Sequence, residues 1–296
     1  MNNYHIPVMP KETISYLNVK SGSWYVDCTL GGGGHTKEIL ALGGKVLGID
    51  LDPEALAEVG KVHHIDIGQK TDNLILYQSN FADLKNVVNK FNLGPVAGIL
   101  LDLGVSSHQL ETAKRGFSFN VDAPLDMRMS PNLQVTAADL INALHEKELA
   151  ELFQKFGEEN FAKPIARKIV EERQKQLIKT TDQLAKIILS IRRRSESDRT
   201  HPATRVFQAL RIAVNDELNS LKTVLPQILD VLAPGGRVVI ISFHSLEDRI
   251  VKEFFKNEHK NRTLTIITQK PITPTKQEVD FNPRSRSGKL RAAEKL

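Results

Sequence analysis

The sequence predicts an α/β protein with a mostly parallel sheet and an inserted helical region. Apolar stretches typical of buried strands alternate with helix-like stretches from residue 24 to residue 103. A run of glycines joins the first strand to the first helix of this alternation, and the same alternation resumes after residue 200. Strands that alternate with helices form parallel sheets covered on both faces, so this pattern sets the fold class.

The first strand-like stretch, residues 24–30, runs into four consecutive glycines that begin at Gly31. Glycine permits a sharp turn and lets a ligand approach the backbone where a Cβ would clash. The helix-like segment that follows, residues 35–42, would offer its first unpaired N–H groups to an anionic group. A strand at 45–49 then leads to Asp50, about 20 residues after Gly31, where βαβ nucleotide sites place their ribose-binding acid. We therefore predict a site for a cofactor that contains adenosine.

The glycine spacing distinguishes between cofactors. A dinucleotide fingerprint requires a third glycine where this chain has Thr36, which disfavours an NAD-dependent dehydrogenase. The arrangement of Asp27, Gly31 and Gly33 is instead similar to the first motif of the Rossmann-like methyltransferases, which bind S-adenosylmethionine. A glycine-rich loop without a ligand is the alternative, and the acid at Asp50 argues against it.

The remaining elements complete the alternation. A helix begins at Pro53, since proline suits a first helical turn, and a third strand and its helix occupy residues 73–79 and 83–91. The nearly continuous apolar run at 96–103 is typical of a central parallel strand. Later elements are a helical stretch at 202–232, a strand at 237–242, a helix at 246–257, and strands at 263–269 and 289–293, which makes seven strands in all.

Residues 136–191 have a helical pattern throughout and follow a loop-like stretch at 105–131. No strand pattern interrupts them. We therefore predict two domains: a discontinuous Rossmann-like domain formed by residues 1–105 and 201–296, and an inserted, mostly helical substrate-recognition domain at 106–200.

Composition narrows the functional class. The chain has 296 residues, 41% of them hydrophobic and 25% charged, which is ordinary for a globular protein. Its one cysteine, Cys28, excludes an internal disulfide and indicates a reducing compartment. No signal peptide or membrane-spanning run is evident, so we expect a cytoplasmic protein. The histidines are scattered without the spacing of a metal site, so no metal is expected.

The net charge of +5 is concentrated in two segments. One is the run from Arg192 to Arg194, with Arg199 and Arg205 nearby. The other is the C-terminal tail, 281–296, which carries five cations against one acid. Clustered basic residues favour a nucleic-acid backbone as partner.

Several longer segments resemble one family. They are residues 99–107 (ILLDLGVSS), 115–119 (RGFSF), 124–129 (PLDMRM), 201–205 (HPATR), 242–249 (SFHSLEDR) and 282–291 (NPRSRSGKLR). Together they resemble the MraW-type, or RsmH-type, small-subunit ribosomal RNA cytosine-N4 methyltransferases over nearly the whole chain.

The resemblance implies a class I S-adenosylmethionine-dependent methyltransferase sheet. It also implies methyl transfer from S-adenosylmethionine to the exocyclic N4 of a cytosine in the decoding region of small-subunit (16S) ribosomal RNA. The expected partner is ribosomal RNA or the small ribosomal subunit, with no membrane involved. Whether the protein forms a homodimer is left open.

For the cofactor, we expect backbone groups of Gly33, Gly34 and His35 to face its methionine end. Asp50 would accept hydrogen bonds from the ribose hydroxyls, and Phe81 would pack on adenine. Gln109, in the loop after the fourth strand, completes the predicted cofactor contacts.

Asp102 is the predicted catalytic residue, and it also contacts the cofactor. It ends the fourth strand, where open α/β sheets bind ligands. A carboxylate there can accept a hydrogen bond from the target amine and stabilise the positive charge that develops on it. The aromatic side chain that holds the base is left open among Phe117, Phe119 and Phe243.

Two other functions remain as alternatives at this stage. A DNA or free-nucleotide amino-methyltransferase would share the cofactor site. A non-catalytic RNA-binding module could hold S-adenosylmethionine as a structural ligand, and it would add no methyl group to RNA.

Overall fold

A computed structural model describes residues 6–192 and 200–296. The described chain divides into two compact units: residues up to Ser106 together with Leu218–Leu296, and Ser107–Glu217. The second unit thus continues beyond residue 200, where the sequence predicted its end. The reason is a helix at Thr204–Asn215, which packs against a helix at Glu146–Gly157 within the second unit.

The first unit is built on a seven-stranded sheet. Its strands are β1 (Trp24–Asp27), β2 (Lys45–Asp50), β3 (Leu74–Gln78), β4 (Val96–Asp102), β5 (Leu232–Ser242), β6 (Leu264–Ile266) and β7 (Lys289–Lys295). Their order is β3-β2-β1-β4-β5-β7-β6, and only β7 runs antiparallel to its neighbours. The predicted α/β fold class and the predicted number of strands are confirmed.

Thirteen α-helices are assigned in the described residues. They are α1 (Pro10–Leu17), α2 (Gly34–Ala41), α3 (Pro53–His63), α4 (Leu84–Lys90), α5 (Ser107–Glu111), α6 (Ala137–Ala143), α7 (Glu146–Gly157), α8 (Ala162–Lys175), α9 (Thr181–Ile191), α10 (Thr204–Asn215), α11 (Glu217–Val231), α12 (Ser245–Lys260) and α13 (Lys276–Phe281). The short helices α1, α5 and α13 were not predicted from the sequence. The single helical stretch predicted at 202–232 is divided at Asp216, whose φ is +49°.

Strand residues alternate between two apolar layers because successive side chains of a strand point to opposite faces. One layer contains Val26, Leu47, Ile99, Val238 and Ile240, and the other contains Tyr25, Val46, Leu100, Val239 and Ile241. The first layer packs on α4, α11 and α12, and the second packs on α1, α2 and α3. Covering both faces leaves the carboxyl edge of the sheet, formed by the carboxyl ends of β1 to β5, as the place for polar side chains.

The second unit is helical. Helix α6 begins at a capping box in which Thr136 and Asp139 bond each other's backbone N–H groups. The corresponding cap of α9 is formed by Thr180 with Gln183. Of the predicted basic run, Arg193, Arg194 and Arg199 lie outside the described residues.

Within residues 6–192 and 200–296, no helix combines the length and the apolar character that crossing a membrane requires.

Candidate active site

The glycine loop after β1 makes two left-handed turns. Gly31 has a φ of +50° and Gly33 a φ of +72°, values that favour glycine. Gly33 is the N-cap of α2 and provides no side-chain hydrogen bond, so the first N–H groups of that helix have no side-chain cap there. A Cβ on Gly34 would lie 2.8 Å from the Pro7 ring. The Gly33 N–H donates to the Leu30 carbonyl at 2.8 Å, so the donors at this point of the carboxyl edge are the N–H groups of the first turn of α2, from Gly34 onward.

Asp50 ends β2 beside this loop. Its Oδ2 accepts the Gly31 N–H at 2.8 Å, and its Oδ1 accepts the Asp52 N–H at 2.8 Å. A carboxylate oxygen has two lone pairs, so each oxygen can still accept a ribose hydroxyl. Burial raises the pKa of Asp50 to about 6, although the two backbone N–H groups oppose that rise.

Phe81 follows β3 in a single 3₁₀ turn, Phe81–Asp83. The Asn80 side chain starts this turn by accepting the Ala82 N–H at 2.9 Å, and its amide donates to the Ser220 hydroxyl at 3.1 Å. The Phe81 ring is partly buried against the first apolar layer. The ring is thus held at the end of β3, and β3 pairs with β2, the strand that ends at Asp50.

A buried charged cluster lies where β1 and β4 end side by side. We call Asp27, His35 and Asp102 the charged triad. Asp102 Oδ2 lies 3.4 Å from His35 Nε2, and their side chains are only 8% and 5% exposed. Asp27 is buried as well, and its Oδ2 accepts the Thr36 hydroxyl at 2.8 Å.

Thr29 connects the two strand ends of the charged triad. Its backbone N–H donates to Asp27 Oδ1 at 3.3 Å, and its hydroxyl accepts the Asp102 backbone N–H at 2.6 Å. These bonds fix the chain at both carboxylates, so the triad is a preorganised feature of the fold rather than a surface contact.

Burial and the neighbouring charges together determine the protonation states of His35 and Asp27. Burial disfavours the imidazolium form of His35, but the Asp102 carboxylate, with Asp27 and Glu38 behind it, outweighs burial and raises the His35 pKa. Burial also raises the pKa of Asp27, against the influence of His35 and Thr36. An imidazolium between two carboxylates is the arrangement in which such buried charges stabilise one another.

The end of β5 adds an aromatic side chain. Ile241 is paired with Asp102 in the sheet, and Phe243 follows two residues later. The Phe243 N–H donates to Glu247 Oε2 at 2.8 Å, which fixes the turn into α12. Of the three aromatic residues left open by the sequence, Phe243 is therefore the one at the carboxyl edge of the first unit.

These features agree with the comparisons with known proteins. The sequence matches the MraW methylase family over residues 2–296. This chain belongs to the MraW methylase family.

Individual relatives cover the whole chain. "Ribosomal RNA small subunit methyltransferase H" of Carboxydothermus hydrogenoformans is 46% identical, and the match covers 99% of this chain and 98% of that protein. The protein of the same name from Heliobacterium mobile is also 46% identical, with full coverage of both chains. Among solved structures, an rRNA methylase from Streptococcus thermophilus is similar with a TM-score of 0.44 and 13% identity, over 97% of this chain and 95% of that one.

In the second unit of this methylase, Gln109 is buried on α5 and Phe117 is buried as well. The Phe119 ring stacks on His201, with centroids 4.5 Å apart, and meets Phe207 edge-on at 5.0 Å. These ring contacts join two segments that carry the family resemblance, 115–119 and 201–205. The assignment of Gln109 to the cofactor stays a prediction.

In the same unit, hydrogen bonds join segment 115–119 to one further segment of the resemblance, 124–129. The Arg115 guanidinium donates to the carbonyl oxygens of Arg128 and Met129, at 3.1 and 2.8 Å. The Asn215 side chain accepts the Met129 N–H at 2.7 Å and donates to the Met127 carbonyl at 2.8 Å. Residues far apart in sequence thus form one connected hydrogen-bonded network.

The basic tail of the methylase does not present all of its cations to solvent. Arg291 lies within β7, is 7% exposed, and donates to both carboxylate oxygens of Asp248, at 2.7 and 3.3 Å. The Lys295 ammonium donates to two backbone carbonyls, those of Leu229 and Leu232. The prediction that the basic tail favours a nucleic-acid backbone therefore does not extend to Arg291, because its guanidinium is paired within the fold.

Sequence reasoning identified the backbone of His35 but missed its side chain. It also gave Asp27 no role beyond marking the motif. The available signals were an acid inside an otherwise apolar strand and a histidine directly after the glycines. Their meeting with Asp102 depends on the pairing of β1 with β4, which no local pattern specifies.

Proposed function

We propose that this methylase transfers a methyl group from S-adenosylmethionine to the exocyclic N4 of a cytosine in the decoding region of small-subunit (16S) ribosomal RNA. The observation that carries the proposal is the buried Asp102 carboxylate at the end of β4, next to the uncapped start of α2. The names of the relatives, at 46% identity over the whole chain, support the ribosomal substrate.

The donor set of the carboxyl edge fits S-adenosylmethionine. Backbone groups of Gly33, Gly34 and His35 would face its methionine part, and the N–H groups at the start of α2 would bind the carboxylate there, as helix N-termini bind anions. Asp50 would accept the ribose hydroxyls, and Phe81 would pack on the adenine. When bound, the cofactor supplies a methyl group that its sulfonium has already activated, so the protein needs to position the acceptor and exclude water.

Asp102 would act on the target amine. The N4 amine of cytosine is a weak nucleophile because its lone pair is delocalised into the ring. A fixed carboxylate that accepts an N4–H hydrogen bond orients the amine and stabilises the positive charge that develops during attack. Asp102 is 8% exposed, so this interaction takes place away from bulk water, where it is stronger.

We propose a role in RNA recognition for each unit. A base in structured RNA must leave its stack to reach a buried carboxylate, and an aromatic ring then receives it. Phe243 is the proposed ring, because it follows the strand paired with the end of β4. The second unit, with its Phe119–His201 stack, is the proposed substrate-recognition domain, and its Gln109 completes the proposed cofactor contacts. A cytoplasmic location follows from a ribosomal substrate.

The test is methyl transfer in vitro with a labelled cofactor. Purified protein is incubated with isotopically labelled S-adenosylmethionine and small ribosomal subunits, and the RNA is digested to nucleosides for mass spectrometry. We expect multiple turnovers and label in N4-methylcytidine. Label in a different nucleoside would overturn the proposed atom, and label in added DNA or free cytidine would favour the broader amino-methyltransferase. Binding without transfer would favour a non-catalytic module.

A further inference from the structure

The side chain of His35 has a feature that cofactor binding does not require. Backbone N–H groups can serve a ligand whatever side chain follows the glycines, yet this position carries an imidazole that is 5% exposed. Burying a titratable ring has a free-energy cost unless charged partners compensate for it. The nearest such partner is Asp102, at 3.4 Å.

Among the residues that the structure describes, the charged groups that raise the His35 pKa are acidic. Asp102 faces the Nε2 atom of His35, and Asp27 lies at the end of β1, the strand that pairs with β4. Glu38 lies one turn further along α2 than His35. Asp27 is committed elsewhere, since its two oxygens accept the Thr36 hydroxyl and the Thr29 N–H. The Asp102 carboxylate is thus the close ion-pair partner of the ring.

We propose that His35 is a positioning residue that, as an imidazolium, holds the Asp102 carboxylate in the orientation needed for methyl transfer. This inference rests on the proposed function, since it assigns Asp102 a role on the target amine. It adds a charged side chain to a position whose backbone alone was expected to act.

The fold supports a positioning role in two ways. The Asp102 backbone N–H donates to the Thr29 hydroxyl, which fixes the end of β4. The His35 ring contacts the Asp102 carboxylate from a helix start held between Thr36, bonded to Asp27, and Gly34, packed on Pro7. A preorganised carboxylate avoids reorganisation when charge develops on the substrate.

The charge balance of the triad gives the expected pH dependence. With His35 protonated the triad carries one net negative charge, and with neutral His35 it carries two. The pKa of His35 lies above its ordinary value of 6.5, so the imidazolium persists past that pH and is lost at higher pH. Methyl transfer should therefore slow as the pH rises through the His35 pKa.

The decisive variant is His35→Gln, which keeps the backbone and a neutral N–H donor but removes the charge. We expect the single-turnover rate to fall by about tenfold to a hundredfold, as when a group that orients a catalytic side chain is lost. The dissociation constant for S-adenosylmethionine should stay within about threefold, because the backbone donors remain. The variant should also lose the decline in rate at high pH.

His63→Gln is the matched control, since it makes the same substitution at an exposed position on α3. It should keep both the rate and the pH profile. A folded His35→Gln protein with an unchanged rate and an unchanged high-pH decline would overturn the inference. So would a variant that loses cofactor affinity in proportion to rate.

An NMR titration provides a second test that needs no RNA. Histidine-labelled protein is titrated, and the His35 signal is assigned by its absence in His35→Gln. We expect a pKa above 6.5 that falls when Asp27 or Asp102 is replaced by Asn. A pKa at or below 6.5 would overturn the inference whatever RNA the methylase modifies, so its failure is distinct from failure of the proposed function.

Discussion

The carboxyl edge of the sheet and the C-terminal segment both concentrate charged residues, but they use them differently. At the carboxyl edge, Asp27 and Asp102 are buried at the ends of β1 and β4, and the buried His35 side chain reaches Asp102 from the start of α2. In the C-terminal segment, Arg291 is buried along a strand and paired with Asp248. Arg286, in the 3₁₀ turn just before β7, is exposed.

The difference shows how burial and position together indicate a role. A buried charge along a strand, with a bidentate partner, contributes to folding. A buried charge at the carboxyl end of a parallel strand lies where such sheets bind ligands. The comparison therefore predicts separable effects: loss of chemistry at the carboxyl edge, loss of stability at Arg291, and loss of RNA affinity at Arg286.

The largest effect is expected at Asp102. Asp102→Asn keeps the size of the side chain and removes its charge, so folding should survive. The single-turnover rate at saturating S-adenosylmethionine should fall by about a hundred- to a thousandfold, or roughly 2.7–4 kcal/mol, as when one preorganised hydrogen-bonding group is lost. A rate that recovers at saturating cofactor would leave Asp102 as a cofactor ligand and remove its catalytic role.

The sequence was sufficient to predict that Asp102 ends a strand, but not which side chains surround it. The apolar run of β4 placed Asp102 at a strand end, and the glycine spacing placed the start of α2, because both signals are local. The charged triad arises from the order of strands in the sheet, which brings β1 beside β4. Likewise, a count of basic residues could not separate Arg291 from Arg286, since the pairing of β7 decides which side chain is covered.

Arg291→Gln should destabilise the protein by about 2–3 kcal/mol, somewhat less than for a fully buried pair, because Asp248 keeps some solvent exposure. Lys289, at 3.8 Å from the same carboxylate, limits the loss further. Denaturant unfolding measures the effect on stability.

Arg286→Gln is the matched control. It should leave stability unchanged and lower the slope of log RNA affinity against log salt by up to about one. An equal effect of both variants on stability would contradict the division of roles.

Asp50→Ala should weaken S-adenosylmethionine binding by about ten- to a hundredfold, or roughly 1.5–3 kcal/mol, because the ribose hydroxyls lose a charged acceptor. Calorimetric titration measures this directly. RNA affinity should not change, which separates the carboxyl edge from the basic segment. Unchanged cofactor affinity in a folded variant would remove Asp50 from the site.

The pKa of Asp50 predicts how cofactor affinity depends on pH. Because that pKa is about 6 in the protein without cofactor, the carboxyl group is mostly protonated at pH 5 and mostly ionised at pH 7. Ribose hydroxyls stabilise the ionised form, so binding releases this proton, and affinity should fall by about tenfold between pH 7 and pH 5. Titration in two buffers of different ionisation enthalpy reports the proton release. Asp50→Asn should abolish it, and release that persists in this variant would assign the proton to another group.

The most direct test of the account is to map methylated cytosines in 16S ribosomal RNA from cells that lack this protein. The cells are complemented either with the unaltered chain or with Asp102→Asn at matched protein levels. We predict that one N4 methyl group in the decoding region is absent without the protein, returns with the unaltered chain, and does not return with the variant. A methylation pattern that is the same in all three strains, or full restoration by Asp102→Asn, would contradict the account.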